Sequence, residues 1–219
     1  MLKYPCLVLD HDDTVVQSEK NIGYPFFCQI LSQYRPGKTI SFKDYVHDCH
    51  DFGFSEMCRR RFQFTEQEQY DEYIGWKEYV KNNIPDPFPG IDRVIRRQKQ
   101  EGGLVCVVSH SSVDNITRDY TVHFGVQPDA IYGWDLPENQ RKPNPYPLLH
   151  IMERFQLQPK DLLVVDDMKL AWQMVQPVGV EIAFAAWGKL EFPELSQEMR
   201  QICNYSFSSP KELETFLFE

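Results

Sequence analysis

The chain has 219 residues, 42% of them hydrophobic and 14% aromatic, which suits one large domain or a core domain with a smaller insertion. Its net charge of −9 argues against a nucleic-acid partner, since phosphate backbones are bound by basic faces. No window of about 18 uncharged apolar residues is present, so neither a membrane span nor a membrane partner is expected.

The first apolar run, PCLVL at 5–9, reads as a buried strand that ends abruptly in the acidic stretch DHDDT. It is too short, and too quickly followed by aspartates, for a signal peptide. From 18 to 84 only helical character appears. Ile22, Phe26, Phe27, Ile30 and Leu31 follow helical spacing. Ser41 with Asp44, and Thr65 with Glu68, look like helix N-caps with an acidic third position. Tyr70, Tyr73, Ile74, Trp76 and Tyr79 then read as the packed face of a helix. NNIPDPFPG at 82–90 reads as a linker or hinge.

Beyond the hinge, strands and helices alternate. Ile91, Val94 and Ile95 mark a helix that stops at Gly102-Gly103, and LVCVV at 104–108 is a strand covered on both faces. A helix is expected over 113–124, a short strand at 130–132 and a helix over 147–155. A strand at 162–165, a helix at 170–175, a strand at 182–185 and a closing helix at 210–218 complete the pattern. Alternation of this kind predicts an α/β fold, a Rossmann-like, doubly wound parallel sheet. The expected core comprises 1–17 and 85–219, with 18–84 an inserted all-helical domain. Six cysteines are scattered without a CxxC pair, which points to a reducing, cytoplasmic setting and no disulfide framework. His47, Cys49, His50 and Cys58 match no structural zinc spacing and are read as ordinary helix-face residues.

Ligands of such sheets bind beyond the carboxyl ends of the strands. Three aspartates, Asp10, Asp12 and Asp13, with Thr14, follow the first strand. Ser109 and His110 follow the second long one, Asp166 and Asp167 follow LLVV, and Lys142 precedes a helix. Carboxylates converging from two strands need a cation, and all-oxygen donors with open positions favour Mg²⁺. A hydroxyl and a lysine beside it suit the equatorial oxygens of a phosphoryl group. A carboxylate there can attack phosphorus, and a second one two residues on can move the proton. Alternate residues of an extended segment share a side, which lets Asp10 and Asp12 serve one substrate.

These motifs, in this order, resemble the haloacid dehalogenase superfamily of phosphohydrolases. The resemblance is to the branch of phosphoglycolate phosphatases and β-phosphoglucomutases, with a helical cap inserted after the first strand. DHDDT carries the first motif, VVSHSS the second, Lys142 in KPNP the third and VVDD the fourth. FPG at 88–90 is similar to the re-entry segment. The resemblance implies Asp10 as nucleophile and metal ligand, and Asp12 as general acid/base whose carbonyl also meets the metal. Ser109 and Lys142 would hold the phosphoryl group, with His110 a further candidate substrate contact beside them. Asp166 would be a metal ligand and Asp167 a ligand or water-mediated neighbour. Two departures stand out: Asp13 where many relatives have glycine, and Asp167 with Leu170 where many have serine and a second aspartate. The expected activity is a Mg²⁺-dependent phosphatase acting on a small phosphorylated metabolite, with the cap closing over it. The alternatives are a phosphomutase of the same fold, a phosphoryl-switch protein and a non-catalytic binding protein. Substrate identity and oligomeric state stay open.

Overall fold

A computed structural model describes residues 2–219. The chain divides into two compact units, one of Met1–Gln17 with Asp86–Glu219 and one of Ser18–Pro85.

The first unit begins with β1 (Cys6–Leu9), whose four residues are all buried. The second unit lies between β1 and the rest of the sheet in sequence. Its helices are α1 (Tyr24–Tyr34), α2 (Phe42–Phe52), α3 (Phe54–Phe62) and α4 (Glu66–Lys81). The first unit resumes with α5 (Ile91–Gln100), β2 (Leu104–Val108), α6 (Val113–Phe124), β3 (Ala130–Tyr132) and α7 (Tyr146–Phe155). It closes with β4 (Leu162–Asp166), α8 (Lys169–Val175), β5 (Glu181–Ala185), α9 (Pro193–Ile202), β6 (Tyr205–Phe207) and α10 (Pro210–Phe218). No helix among the described residues is long and apolar enough to cross a membrane.

The strands form one sheet in the order β3-β2-β1-β4-β5-β6, and all the pairings are parallel. Side chains alternate across a strand, so β1 feeds two cores at once. Leu7 and Leu9 pack with Val105, Val107, Ile95, Ile116 and Leu213 on one face. Cys6 and Val8 pack with Cys106, Val108, Leu148, Ile151 and Met174 on the other. Helices on both faces explain why the strands read as continuous apolar runs rather than alternating ones. Each fully buried leucine or valine of these strands contributes about 1.5–3 kcal/mol. The expected parallel α/β sheet is therefore present. α9 and β6 went unanticipated because both signals are weak. Only Leu195 and Met199 of α9 are buried, and β6 is a three-residue edge strand of intermediate burial.

In the helical unit the two expected caps form. Ser41 Oγ accepts from the Asp44 amide at 3.1 Å. Thr65 and Glu68 make a reciprocal capping box, with Thr65 N–H donating to Glu68 Oε2 at 2.8 Å. Arg35 adds a fork onto both Glu68 oxygens at 2.8 and 2.9 Å, tying the end of α1 to the start of α4. The core is aromatic: Phe27 lies against Tyr45, Phe54, Phe62 and Phe64. α4 differs from expectation. Tyr70 and Ile74 are exposed, and the buried residues of this helix are Glu72 and Val80. The aromatic spacing suggested a packed face: Trp76 and Tyr79 lie against Phe26, with ring centroids 5.5 and 5.0 Å apart, but the buried positions go to Val80 and the ionisable Glu72.

Burial raises the Glu72 carboxyl from its ordinary 4.5 to about 8. A carboxyl with a raised folded-state pKa contributes stability below the unfolded value, and that contribution is lost as pH rises from 4.5 towards 8. Glu72→Gln is therefore expected to raise Tm at pH 8, by about 2–4 °C for each kcal/mol regained, and to change little near pH 4.5. Thermal melts of both proteins across pH check this.

Candidate active site

The register of the sheet builds the site. Leu9 of β1 lies beside Val165 of β4, so the next residues, Asp10 and Asp166, emerge side by side at the carboxyl edge. The Asp10 amide donates to the Val165 carbonyl at 2.9 Å, extending the ladder one step. The chain then turns sharply. The His11 carbonyl accepts from the amides of Val15 and Val16 at 2.9 and 3.0 Å, and Asp13 N–H donates to the Val16 carbonyl at 2.8 Å. Asp13 sits at φ 53°, a left-handed conformation that aspartate tolerates better than most residues.

Lys142 lies between the first two acids. Its Nζ is 2.8 Å from Asp10 Oδ1 and 2.7 Å from Asp166 Oδ2, and all three residues are buried. Burial works against the ammonium charge, yet the Asp10 and Asp166 carboxylates outweigh it and hold Lys142 protonated above its ordinary pKa. Burial pushes the Asp166 carboxyl well above the usual carboxylate range; Lys142 draws it back, while Asp10 and Asp167 push it further. Asp166 Oδ1 is fixed by the Met168 amide at 2.8 Å.

Asp10, Asp166 and Asp167 each offer a carboxylate oxygen, and these oxygens lie within 4.8 Å of one another. Three buried hard-oxygen donors in that space fit a divalent cation such as Mg²⁺. Ser109 is buried at the end of β2, the neighbour of β1 on its other side. Asp12 is half-buried on the turn. The structure thus brings Asp10, Lys142, Asp166 and Asp167 together by distance, and brings Ser109 in through strand adjacency. His110 reaches the cluster indirectly. Its Nε2 is 2.9 Å from the Lys142 carbonyl, which can only accept, so Nε2 carries a proton. Burial, helped by the Lys142 charge, lowers the ring from its ordinary 6.5 to about 4. His110 is thus a neutral donor holding the Lys142 backbone.

Two groups escaped the sequence reading. His11 is buried with Nε2 3.0 Å from Asp119 Oδ2 on α6, and Arg118 lies 2.6 Å from the other Asp119 oxygen. The segment after β5 clamps the turn: Trp187 Nε1 donates to the Thr14 carbonyl at 3.0 Å, and Lys189 pairs with Asp13 at 3.1 Å and with Asp167. Gly188 is required between them, since a Cβ there would meet the Asp13 carbonyl oxygen at 1.9 Å. Looking past the end of β5, as past the other strands, would have found Lys189. Asp119 lies within a helix and carries no comparable signal.

Comparison with known proteins identifies the family of the chain. Residues 7–185 match the family described as haloacid dehalogenase-like hydrolase. The chain belongs to that family. A phosphoglycolate phosphatase of Aquifex aeolicus (strain VF5) is 23% identical to this hydrolase over 215 residues, covering 94% of this chain and 93% of that protein. Among solved structures, CbbY (mutant D10N) from Rhodobacter sphaeroides, in complex with xylulose-(1,5)bisphosphate, superposes with a TM-score of 0.75. It is 16% identical, over 97% of this chain and 96% of that one. A HAD-superfamily hydrolase, subfamily IA, variant 1, from Geobacter sulfurreducens PCA gives 0.64 at 16% identity, over 99% and 97%.

The His110 donor has a pH signature. A histidine whose folded-state pKa is depressed contributes stability above 6.5, and this is lost as pH falls towards about 4. Wild-type Tm is expected to drop through that window. His110→Gln, which keeps an N–H donor without the titration, is expected to drop less, and His110→Leu to lose about 1–3 kcal/mol at pH 7 for the unsatisfied carbonyl. Melts from pH 7.5 to 4.5 compare the three.

Proposed function

We propose that this hydrolase is a Mg²⁺-dependent phosphatase that removes phosphate from a small phosphorylated metabolite through an aspartyl-phosphate on Asp10. The observation that carries the reading is the convergence of Asp10, Asp166 and Asp167 with the Lys142 ammonium between two of them. Asp10, Asp166 and Asp167 would hold the cation, with the Asp12 carbonyl as a further ligand. When bound, Mg²⁺ supplies positive charge to the phosphoryl oxygens and keeps the nucleophile ionised.

The Asp10 carboxylate attacks phosphorus as the ester P–O bond breaks, and Asp12 donates a proton to the departing oxygen. Asp12 then takes a proton from the water that cleaves the acyl phosphate, so phosphate leaves and Asp10 is restored. Lys142 and the Ser109 hydroxyl stabilise the phosphoryl oxygens during both steps. His110 orients Lys142 through its backbone carbonyl, in addition to the substrate contact expected from its position after β2. The name of the Aquifex aeolicus relative makes phosphoglycolate the first substrate to try.

The test is phosphate release from phosphoglycolate and a panel of sugar phosphates, with and without Mg²⁺. Wild type is expected to turn over only with the metal, and Asp10→Asn to lose at least about 10³-fold in kcat. An isomerised sugar phosphate without free phosphate would identify a phosphomutase instead. Equal turnover by wild type and Asp10→Asn would remove Asp10 as the nucleophile.

A further inference from the structure

Two lysines, not one, are buried among the acids at the carboxyl edge. Lys142 serves Asp10 and Asp166. Lys189 has a fully buried side chain and serves Asp13 and Asp167. The second pairing is built with some care. Asp13 occupies a left-handed backbone position that glycine would take at less cost, and its carboxylate meets Lys189 Nζ at 3.1 Å. The backbone of Gly188 passes so close to Asp13 that no side chain fits. Trp187, one residue earlier, is anchored to Thr14 at 3.0 Å, and Thr14 Oγ1 donates to Asp167 Oδ1 at 3.4 Å. The segment after β5, the turn after β1 and the end of β4 are thus joined around one ammonium group.

Asp167 is also a member of the group able to hold a cation. An oxygen shared with an ammonium is a poorer metal ligand than a free one, and a fixed positive charge beside the site weakens cation binding and favours anions. We propose that Lys189 is a positioning residue that sets the balance between divalent-cation and phosphate affinity in this site, acting through the carboxylates of Asp13 and Asp167. The proposal rests on the phosphatase reading above. Without Lys189 the site would hold Mg²⁺ more tightly and the dianionic phosphoryl group more weakly. Asp13 acts in the opposite sense, since it contributes one of the two charges that Lys189 offsets.

The opposed signs give the test. Mg²⁺ binding to the full chain is measured by calorimetry without substrate, and inorganic phosphate binding is measured at saturating Mg²⁺. Lys189→Met is expected to tighten Mg²⁺ binding and weaken phosphate binding, each roughly tenfold. Asp13→Asn is expected to weaken Mg²⁺ and tighten phosphate, and Lys189→Met with Asp13→Asn to return both constants towards wild type. A merely structural lysine would lower Tm and leave Mg²⁺ affinity unchanged or weaker, and that result in folded Lys189→Met overturns the proposal. If Lys189→Met does not fold, Asp13→Asn alone decides, and unchanged constants there overturn it equally. Wild type that binds no Mg²⁺ would sink the phosphatase reading and this proposal with it, whereas wild-type binding that the variants leave untouched sinks the proposal alone.

Discussion

The rest of the structure depends on keeping several carboxylates together in a buried place. Isolated acids there would protonate or drive the strands apart, since like charges at these distances in a poor dielectric cost several kcal/mol. The fold answers with two ammonium groups delivered from different loops, Lys142 before α7 and Lys189 after β5. Each one bridges a residue of the turn after β1 to a residue at the end of β4. The acids thus converge on the candidate site and, through the two lysines, join its loops.

That arrangement needs the sheet beneath it. β1 and β4 are parallel and in register, so Asp10 and Asp166 arrive at the same height without any special loop. β1 is central in the sheet, with β2 on its other side carrying Ser109 to the same edge. Both faces of β1 are packed, Leu7 and Leu9 into one core and Cys6 and Val8 into the other. A slip of β1 by one residue would exchange the two cores and move Asp10 away from Lys142 and Asp166. Stability of the core and placement of the carboxylates are therefore one property.

Much of this was legible in the sequence, for a physical reason. A parallel strand covered on both faces must be apolar, so where VLD or VVDD changes from apolar to acidic the strand end is marked directly. Lys142 was legible only through its place in the order of motifs, since a single lysine before a helix is ordinary. Lys189 was not, because AAWGK follows β5 with no acid to draw the eye, although its position at a strand end is the same. Asp119 and Glu72 were hidden for another reason: helical spacing ranks apolar residues and cannot say that a polar one faces inward. In α4 this put Tyr70 and Ile74 inside, where the structure places Glu72. His110 illustrates a finer point, since its position after the strand gave no sign of its hydrogen bond to the Lys142 backbone.

The central claim is that Asp10 itself receives the phosphoryl group. Rapid acid quenching of the enzyme during turnover, with Asp12→Asn to slow loss of the acyl phosphate, followed by borohydride reduction and peptide mass analysis, tests it directly. The account predicts that the residue reduced is Asp10, with His11 and Asp13 unmodified. Reduction at Asp13, or at no residue of that peptide, in enzyme that still releases phosphate, would contradict it.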